Sequence, residues 1–275
     1  MSTASGGASV TAPGALLLCR AHPESVGPAA QLLREHMLLT GAGAEWSVLV
    51  PEGKAWRQGA EPVDRVLTGW ATALAVGAPW PVLALWWDAE HSGYTLASGF
   101  RRTVGYDWLA NGTPVGEDEA MRTFAARLGL DPVLDIQPLE QLTKPEPGAD
   151  ARARMRGLLA VLTRAGVMLP AGLNPGEPAD RLREVARIQP GAEQIEWTGW
   201  RAAVRAELDA VEGGGPESWL RGPKAGALAA AELAAGLPLT AWGVRRRSGG
   251  WIVAGALLTL HGALGLAYDH LRAFD

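Results

Sequence analysis

PVLALWWDAEHSGYTLASGF, residues 81–100, contains two apolar segments separated by a short polar one. The flanking segments, PVLALWWD and YTLASGF, carry the aliphatic, aromatic and hydroxyl-bearing side chains that are common in strands. The segment DAEHSG joins them with acidic residues and a glycine, a composition typical of a hairpin turn. The stretch therefore predicts a β-hairpin, and with it a β-sheet in this part of the chain.

Segments on both sides of this hairpin extend the prediction. Four more have the composition of strands: ALLLCR (15–20), EWSVLVPEG (45–53), TVGYDWLANG (103–112) and DPVLDIQ (131–137). Three have helical features: SVGPAAQLLREHMLL (25–39), EPVDRVLTGWATALAVG (61–77) and EDEAMRTFAARLGL (117–130). Together they predict an α+β (mixed α/β) domain over residues 15–143, preceded by a disordered lead over residues 1–14.

The second half of the chain has no further strand pattern. TKPEPGAD (143–150) has the composition of a linker. Behind it, three segments are typical of helices: ARARMRGLLAVLTRAG (151–166), EPADRLREVARI (177–188) and GAEQIEWTGWRAAVRAELDAVE (191–212). We therefore expect a helical segment over residues 150–213, separate from the sheet-containing domain.

The C-terminal residues 218–275 contain two long apolar runs. Residues 225–244 carry one charge, Glu232, and residues 251–268 carry none. A bilayer core needs roughly 20 helical residues, and neither run has a polar face. The sequence therefore predicts a two-helix transmembrane hairpin that contacts the lipid bilayer through residues 225–268. The alternative is a buried helical hairpin in a soluble core.

Details of the two runs agree with a membrane hairpin. Three arginines, Arg245–Arg247, separate the runs, and Trp242 and Trp251 flank them as interfacial aromatics do. Glu232 and His261 fall at similar depth in the two predicted helices. We expect them to form an intramembrane polar pair, since an isolated ionisable group is costly there.

Composition and charge exclude several classes of function. The net charge of −4 gives no electrostatic reason to bind nucleic acid. A single cysteine excludes an internal disulfide and a cysteine-based zinc cluster, and it favours a reducing compartment. Residues 1–14 lack the basic start of a secretory signal. Glycine-rich phosphate loops are also absent. We expect no cofactor and no metal.

Two polar clusters are weak candidates for catalysis. Cys19, His22 and Glu24 lie where a predicted strand passes into a helix, although a buried thiol beside a surface histidine is the commoner arrangement. Asp88, Glu90 and His91 carry groups for acid–base chemistry or metal binding, but they are also what a hairpin turn requires.

The tryptophan pair Trp86 and Trp87 is a candidate for partner contact. Neighbouring residues of a strand point to opposite faces of the sheet, so we expect at least one indole to be exposed. Exposed aromatic side chains favour protein recognition, although filling of the core is the commoner fate of such residues.

The function expected from the sequence is a non-enzymatic, membrane-tethered protein-binding or regulatory module. Its body would lie on the cytoplasmic side of the cytoplasmic membrane, and its partner would be another protein. The alternative is a soluble or peripheral enzyme, hydrolase-like, that uses the polar residues at the strand ends. A small transporter or channel component is a third possibility and requires an oligomer.

Overall fold

The structure, a computed structural model, describes residues 12–58, 61–196, 233, 236–238, 240–242, 245, 255–260 and 262–263. Seven strands form one sheet: β1 (Gly14–Cys19), β2 (Met37–Gly41), β3 (Ser47–Pro51), β4 (Val82–Trp87), β5 (His91–Ala97), β6 (Val104–Leu109) and β7 (Glu193–Ile195). Their order across the sheet is β6-β5-β4-β1-β3-β2-β7, and every neighbouring pair is antiparallel. The predicted hairpin at residues 81–100 is confirmed as β4 and β5.

Helices cover both faces of this sheet. They are α1 (Pro23–Gln31), α2 (Lys54–Arg57), α3 (Val63–Val76), α4 (Asp118–Leu128), α5 (Ile136–Leu142), α6 (Ala151–Leu162) and α7 (Ala179–Arg187). Residues of β1 alternate between the two faces: Leu17 and Cys19 belong to a buried cluster with α1 and α3, and Leu16 and Leu18 to one with α4, α6 and α7. Because both faces are covered, the central strands are continuously apolar. The α+β fold class is confirmed.

Three predicted elements are wrong. The predicted helix at 25–39 ends at Gln31, and its last residues form β2, where the buried run Met37–Gly41 pairs with β3. DPVLDIQ is a turn followed by α5, because Asp131 Oδ1 accepts hydrogen bonds from the amides of Val133 and Leu134. At the start of the helix predicted at 191–212, residues 193–195 form strand β7 instead, which pairs with β2; the rest of that helix, from residue 197, lies outside the described residues.

The predicted linker at 143–150 lies between α5 and α6. Arg154 of α6 is 2% exposed, and its guanidinium donates hydrogen bonds to the carbonyls of Gln141 (3.0 Å) and Lys144 (2.6 Å). Leu139 of α5 and Met155 of α6 belong to the same buried cluster as the central strands. The linker is thus fastened to α6, and residues on both sides of it pack into one core.

The described residues of the C-terminal tail are helical, and two of its segments cross closely. A Cβ atom at Gly255 would lie 2.3 Å from the amide nitrogen of Thr240, and one at Gly236 would lie 2.6 Å from that of Thr259. Each threonine hydroxyl donates to the carbonyl of the glycine four residues earlier in its own helix. Close crossing therefore requires glycine at both positions.

No helix among the described residues has the length and apolar composition to cross a membrane. The tail also approaches the body, since a Cβ at Gly77 would lie 3.6 Å from Leu257 Cδ1. Most of the lead, residues 1–11, lies outside the described residues, whereas Gly14 belongs to β1. The apolar stripe at 197–211 and the pair Glu232 and His261 also lie outside them.

Candidate functional site

The first predicted cluster, Cys19, His22 and Glu24, does not converge on a pocket. Cys19 is fully buried within the sheet, paired with Ser47 of β3 and Val82 of β4. Burial raises the pKa of its thiol far above the usual value. His22 and Glu24 are exposed at the start of α1. A thiol that is buried and protonated is chemically inert, so this cluster offers no nucleophile.

The second predicted cluster closes the β4–β5 hairpin. Asp88 Oδ1 accepts hydrogen bonds from the amides of Glu90 (2.8 Å) and His91 (2.9 Å), and it lies 2.8 Å from His91 Nδ1. Burial alone would lower the pKa of His91, but the hydrogen bond and charge of Asp88, with the charges of Asp64 and Asp107, raise it. The carboxylate of Asp88 therefore stabilises the hairpin turn through two backbone amides and orients the imidazole of His91.

The expectation that Trp86 or Trp87 is exposed is wrong. Each side chain is 2% exposed, because helices cover both faces of the sheet at this point. Trp87 Nε1 donates a hydrogen bond to the carbonyl of Glu177. Trp86 lies on the opposite face, with its ring 5.0 Å from that of His91.

A cleft of about 290 Å³ lies between α3 and the edge of the sheet formed by β5 and β6. We call it the α3–β6 cleft. Its walls include an acid from α3, an acid from β6, two threonines, an indole and a strand glycine: Asp64, Asp107, Thr68, Thr95, Trp86 and Gly105. Sequence positions 64 to 107 are thus brought together by the sheet and the helix that covers it.

Two of the lining residues, Trp86 and Asp107, belong to one row of residues across three neighbouring strands. Trp86 of β4 pairs with Gly93 of β5, which pairs in turn with Asp107 of β6. A Cβ atom at Gly93 would lie 2.5 Å from Trp86 Cζ2 and 2.6 Å from Asp107 Oδ1. Glycine at this position therefore lets the indole edge and the carboxylate approach each other over the strand.

The roof of the cleft comes from α3. Asp64 lies in the first turn of the helix, where a negative charge interacts favourably with the helix dipole. Thr68 follows four residues later and therefore lies on the same side of the helix. Its hydroxyl is 2.9 Å from that of Thr95 in β5, which ties the helix to the sheet at one end of the cleft.

The cleft is electrostatically negative. Burial raises the pKa of Asp107, the nearby His91 lowers it, and the Asp64 carboxylate raises it. Among the described residues, no lysine or arginine forms an ion pair with Asp64 or Asp107. Among the described residues, the group that lowers the pKa of Asp107 is the imidazole of His91, whose Nδ1 lies 2.8 Å from Asp88.

Two buried polar atoms of the cleft walls have no hydrogen-bond partner within the described ranges. They are Nε1 of Trp86, a donor, and Oδ1 of Asp64, an acceptor. The indole edge that carries Nε1 also carries Cζ2, which would lie 2.5 Å from a Cβ atom at Gly93. A buried polar group without a partner costs about 1–3 kcal/mol. The cleft is thus suited to a ligand that both donates and accepts hydrogen bonds.

Sequence reasoning did not identify Asp64, Thr68, Thr95 or Asp107 as site residues. One signal was available in the segments that were read as strands. Glycine is unfavourable inside a strand, and it often marks a close approach of backbone or ligand. Gly105 interrupts the predicted strand at 103–112, where Asp107 also places a carboxylate between two aromatic residues, whereas Gly93 was assigned to the predicted turn.

A second, more polar pocket of about 230 Å³ lies between α2 and α7. Its charges are already paired: Arg57 binds Asp180 through two hydrogen bonds, and Glu52 lies 3.1 Å from Lys54 and 3.6 Å from Arg183. In the part of the chain that the structure describes, no group of three or more His, Cys, Asp or Glu side chains is arranged to hold a metal ion. The α3–β6 cleft is the stronger candidate site.

Comparisons with protein families, with curated proteins and with solved structures found no match to this chain.

Proposed function

We propose that the protein is a non-enzymatic, membrane-tethered module that binds another protein. The body formed by the sheet and its helices would recognise the partner. Residues 218–275 would hold that body at the cytoplasmic face of the cytoplasmic membrane as a two-helix hairpin.

The observation that carries the tether is the close helix crossing at Gly236 and Gly255. Small residues spaced four apart allow helix backbones to approach, and such contacts are enriched between membrane helices. The Thr240 and Thr259 hydroxyls bond to carbonyls of their own helices, so they need no water. Leu237 beside the crossing is 60% exposed, which suits an apolar surrounding.

The arrangement of the body favours binding over catalysis. Cys19 is buried away from His22 and Glu24, and the Asp88 carboxylate is engaged in the hairpin turn. The α3–β6 cleft instead offers two carboxylates and an indole donor at the edge of the sheet. These groups can recognise a complementary surface without any covalent step.

Membrane extraction with carbonate tests the tether. Wild-type protein should remain in the membrane pellet. Leu237→Arg should release the protein or lead to its degradation, because an arginine at mid-span costs about 2.5–3.5 kcal/mol. In a soluble hairpin the same exposed position would tolerate arginine.

Met168→Arg is the matched control, since Met168 is 64% exposed on the body. It should behave as wild type. Wild-type protein that is wholly carbonate-soluble at normal yield would refute the tether, and so would a Leu237→Arg variant that is retained like the control.

A hydrolase-like activity is the second candidate, because Asp88 holds His91 through Nδ1 and leaves its Nε2 for a proton transfer. His91→Gln removes this group and should abolish any hydrolysis of ester or amide test substrates by the purified full chain. If the purified wild-type protein is inactive on them, this candidate has no support.

A further inference from the structure

We propose that the α3–β6 cleft receives the ammonium group of a lysine side chain from an extended segment of the partner, and that this segment pairs with the edge of β6. This inference rests on the proposed protein-binding function, because it specifies the chemistry of the partner. It combines three features of the described residues: two carboxylates without a lysine or arginine partner, an indole N–H without a hydrogen-bond partner, and the outward backbone groups of Gly105. Gly105 lies at the edge of β6 beside residues 113–115, which already pair with Asp107 and Leu109.

The charge of the cleft selects a cation. Asp64 and Asp107 approach it from the helix and from the sheet, and no lysine or arginine of the described ranges pairs with either. The threonine hydroxyls of Thr68 and Thr95 are additional acceptors at one end. An ammonium group has three donors and no acceptor, so it matches two carboxylates and a hydroxyl. The volume of about 290 Å³ suits a side chain better than a large cofactor.

The indole of Trp86 indicates that the ligand brings an acceptor as well. Trp86 is 2% exposed, and its Nε1 has no hydrogen-bond partner among the described residues. An ammonium group cannot accept a hydrogen bond. A peptide carries a backbone carbonyl beside each side chain, so a lysine within a peptide satisfies the indole and the carboxylates together. A free amine would satisfy only the carboxylates.

The edge of β6 offers a place for that peptide backbone. The Asp107 carbonyl accepts a hydrogen bond from Val115 on the outer side of β6 (3.0 Å), so the backbone groups of Asp107 point away from β5. Groups alternate along a strand, so Gly105, two residues earlier, also points its N–H and C=O outward.

Gly105 is exposed and lines the cleft, and no hydrogen bond to these outward groups occurs among the described residues. An extended segment that adds to a sheet edge uses such groups for pairing and places alternate side chains into pockets. A partner strand next to Gly105 would therefore bring one side chain to the mouth of the cleft.

The test is a titration of the full-length protein in detergent micelles, followed by NMR of the Trp86 indole N–H and the Gly105 amide. The probes are the blocked peptide Ac-Val-Thr-Lys-Thr-Val-NH2, the same peptide with norleucine for lysine, and n-butylamine. We expect the lysine peptide to shift both signals in a saturable way. The norleucine peptide should bind about tenfold more weakly, as expected for loss of one partly buried charge pair.

Asp64→Asn and Asp107→Asn should each weaken binding of the lysine peptide by about tenfold, since each removes one charge with little change of shape. Asp180→Asn is the matched control, because Asp180 is an exposed acid outside the cleft. It should leave the peptide affinity unchanged.

The inference is overturned if neither signal shifts, if the norleucine peptide binds equally well, or if n-butylamine binds as tightly as the lysine peptide. The last result would identify a free amine as the ligand. Membrane extraction of Leu237→Arg is read separately, because Leu237 lies in the tail, outside the cleft. Failure of the peptide titration with a retained membrane tether would therefore refute this inference alone.

Discussion

Replacing Arg154 with methionine should lower the free energy of unfolding by about 3 kcal/mol. The side chain is 2% exposed and donates to two carbonyls, those of Gln141 and Lys144. A hydrogen bond from a charged donor contributes about 1.5–3 kcal/mol, so the two together contribute about 3–6 kcal/mol. Methionine keeps the apolar stem but leaves both carbonyls without their donor.

Two further contributions bear on this loss, and only the first reduces it. The Nε of Arg154 is buried without a hydrogen-bond partner among the described residues, so removing it recovers about 1–3 kcal/mol. The ion pair with Glu146, whose side chain is 67% exposed, spans 3.6 Å and contributes little. The net effect is about 3 kcal/mol, or a melting temperature lower by roughly 6–12 °C for a chain of this size.

Thermal and urea unfolding of the full chain, followed by tryptophan fluorescence, measure this effect. Arg156→Met is the control, because Arg156 is exposed on the same helix and its loss should cost less than about 0.5 kcal/mol. Hydrogen exchange provides a local readout: the amides of residues 143–150 should exchange faster in Arg154→Met. A stability loss below about 1 kcal/mol, with unchanged exchange in this segment, would refute the view that Arg154 fastens the linker.

Three other predictions follow from the fold. Native protein should react with iodoacetamide at Cys19 very slowly, because burial raises the pKa of the thiol; rapid labelling without unfolding would contradict this. The pKa of His91, measured by NMR, should lie above its usual value and fall in Asp88→Asn, because Asp88 stabilises the imidazolium. A histidine whose pKa is raised in the folded state contributes stability at low pH, and this contribution is lost as the pH rises through that pKa. The stability advantage of wild type over Asp88→Asn should therefore shrink as the pH rises. A difference that stays constant with pH would argue against this coupling. A chain ending at Gly213 should unfold cooperatively, since the described body already contains the sheet and the helices on both of its faces; aggregation alone would show that the tail is part of the core.

Much of the fold could be predicted from local patterns. The short apolar run in ALLLCR and the turn residues after Trp87 specify β1 and the β4–β5 hairpin, and helical spacing specifies α3. The polar residues at Asp88 were also predicted to be turn residues, and their hydrogen bonds lie within four consecutive residues. Such elements depend on neighbours in sequence, which single-sequence reasoning can assess.

The errors occur where a distant partner decides the outcome. The run at Met37–Gly41 fits the end of a helix as well as a strand, and only pairing with β3 makes it β2. Trp86 and Trp87 are both buried because helices cover each face of the sheet, and the helices on the Trp87 face come from residues 118–187. Hydrophobic pattern indicates that a face is apolar but not which element covers it.

The sequence by itself determined the strands of the central hairpin, the helices with clear apolar stripes, and the apolar character of the tail. Only the tertiary structure decided the α3–β6 cleft, because it joins Asp64 of a helix to Asp107 of an edge strand across the glycine at position 93. The physical reason is that local elements depend on side chains a few residues apart, whereas a site depends on strand register and on the helix that covers it. Both are set by contacts between residues far apart in the chain.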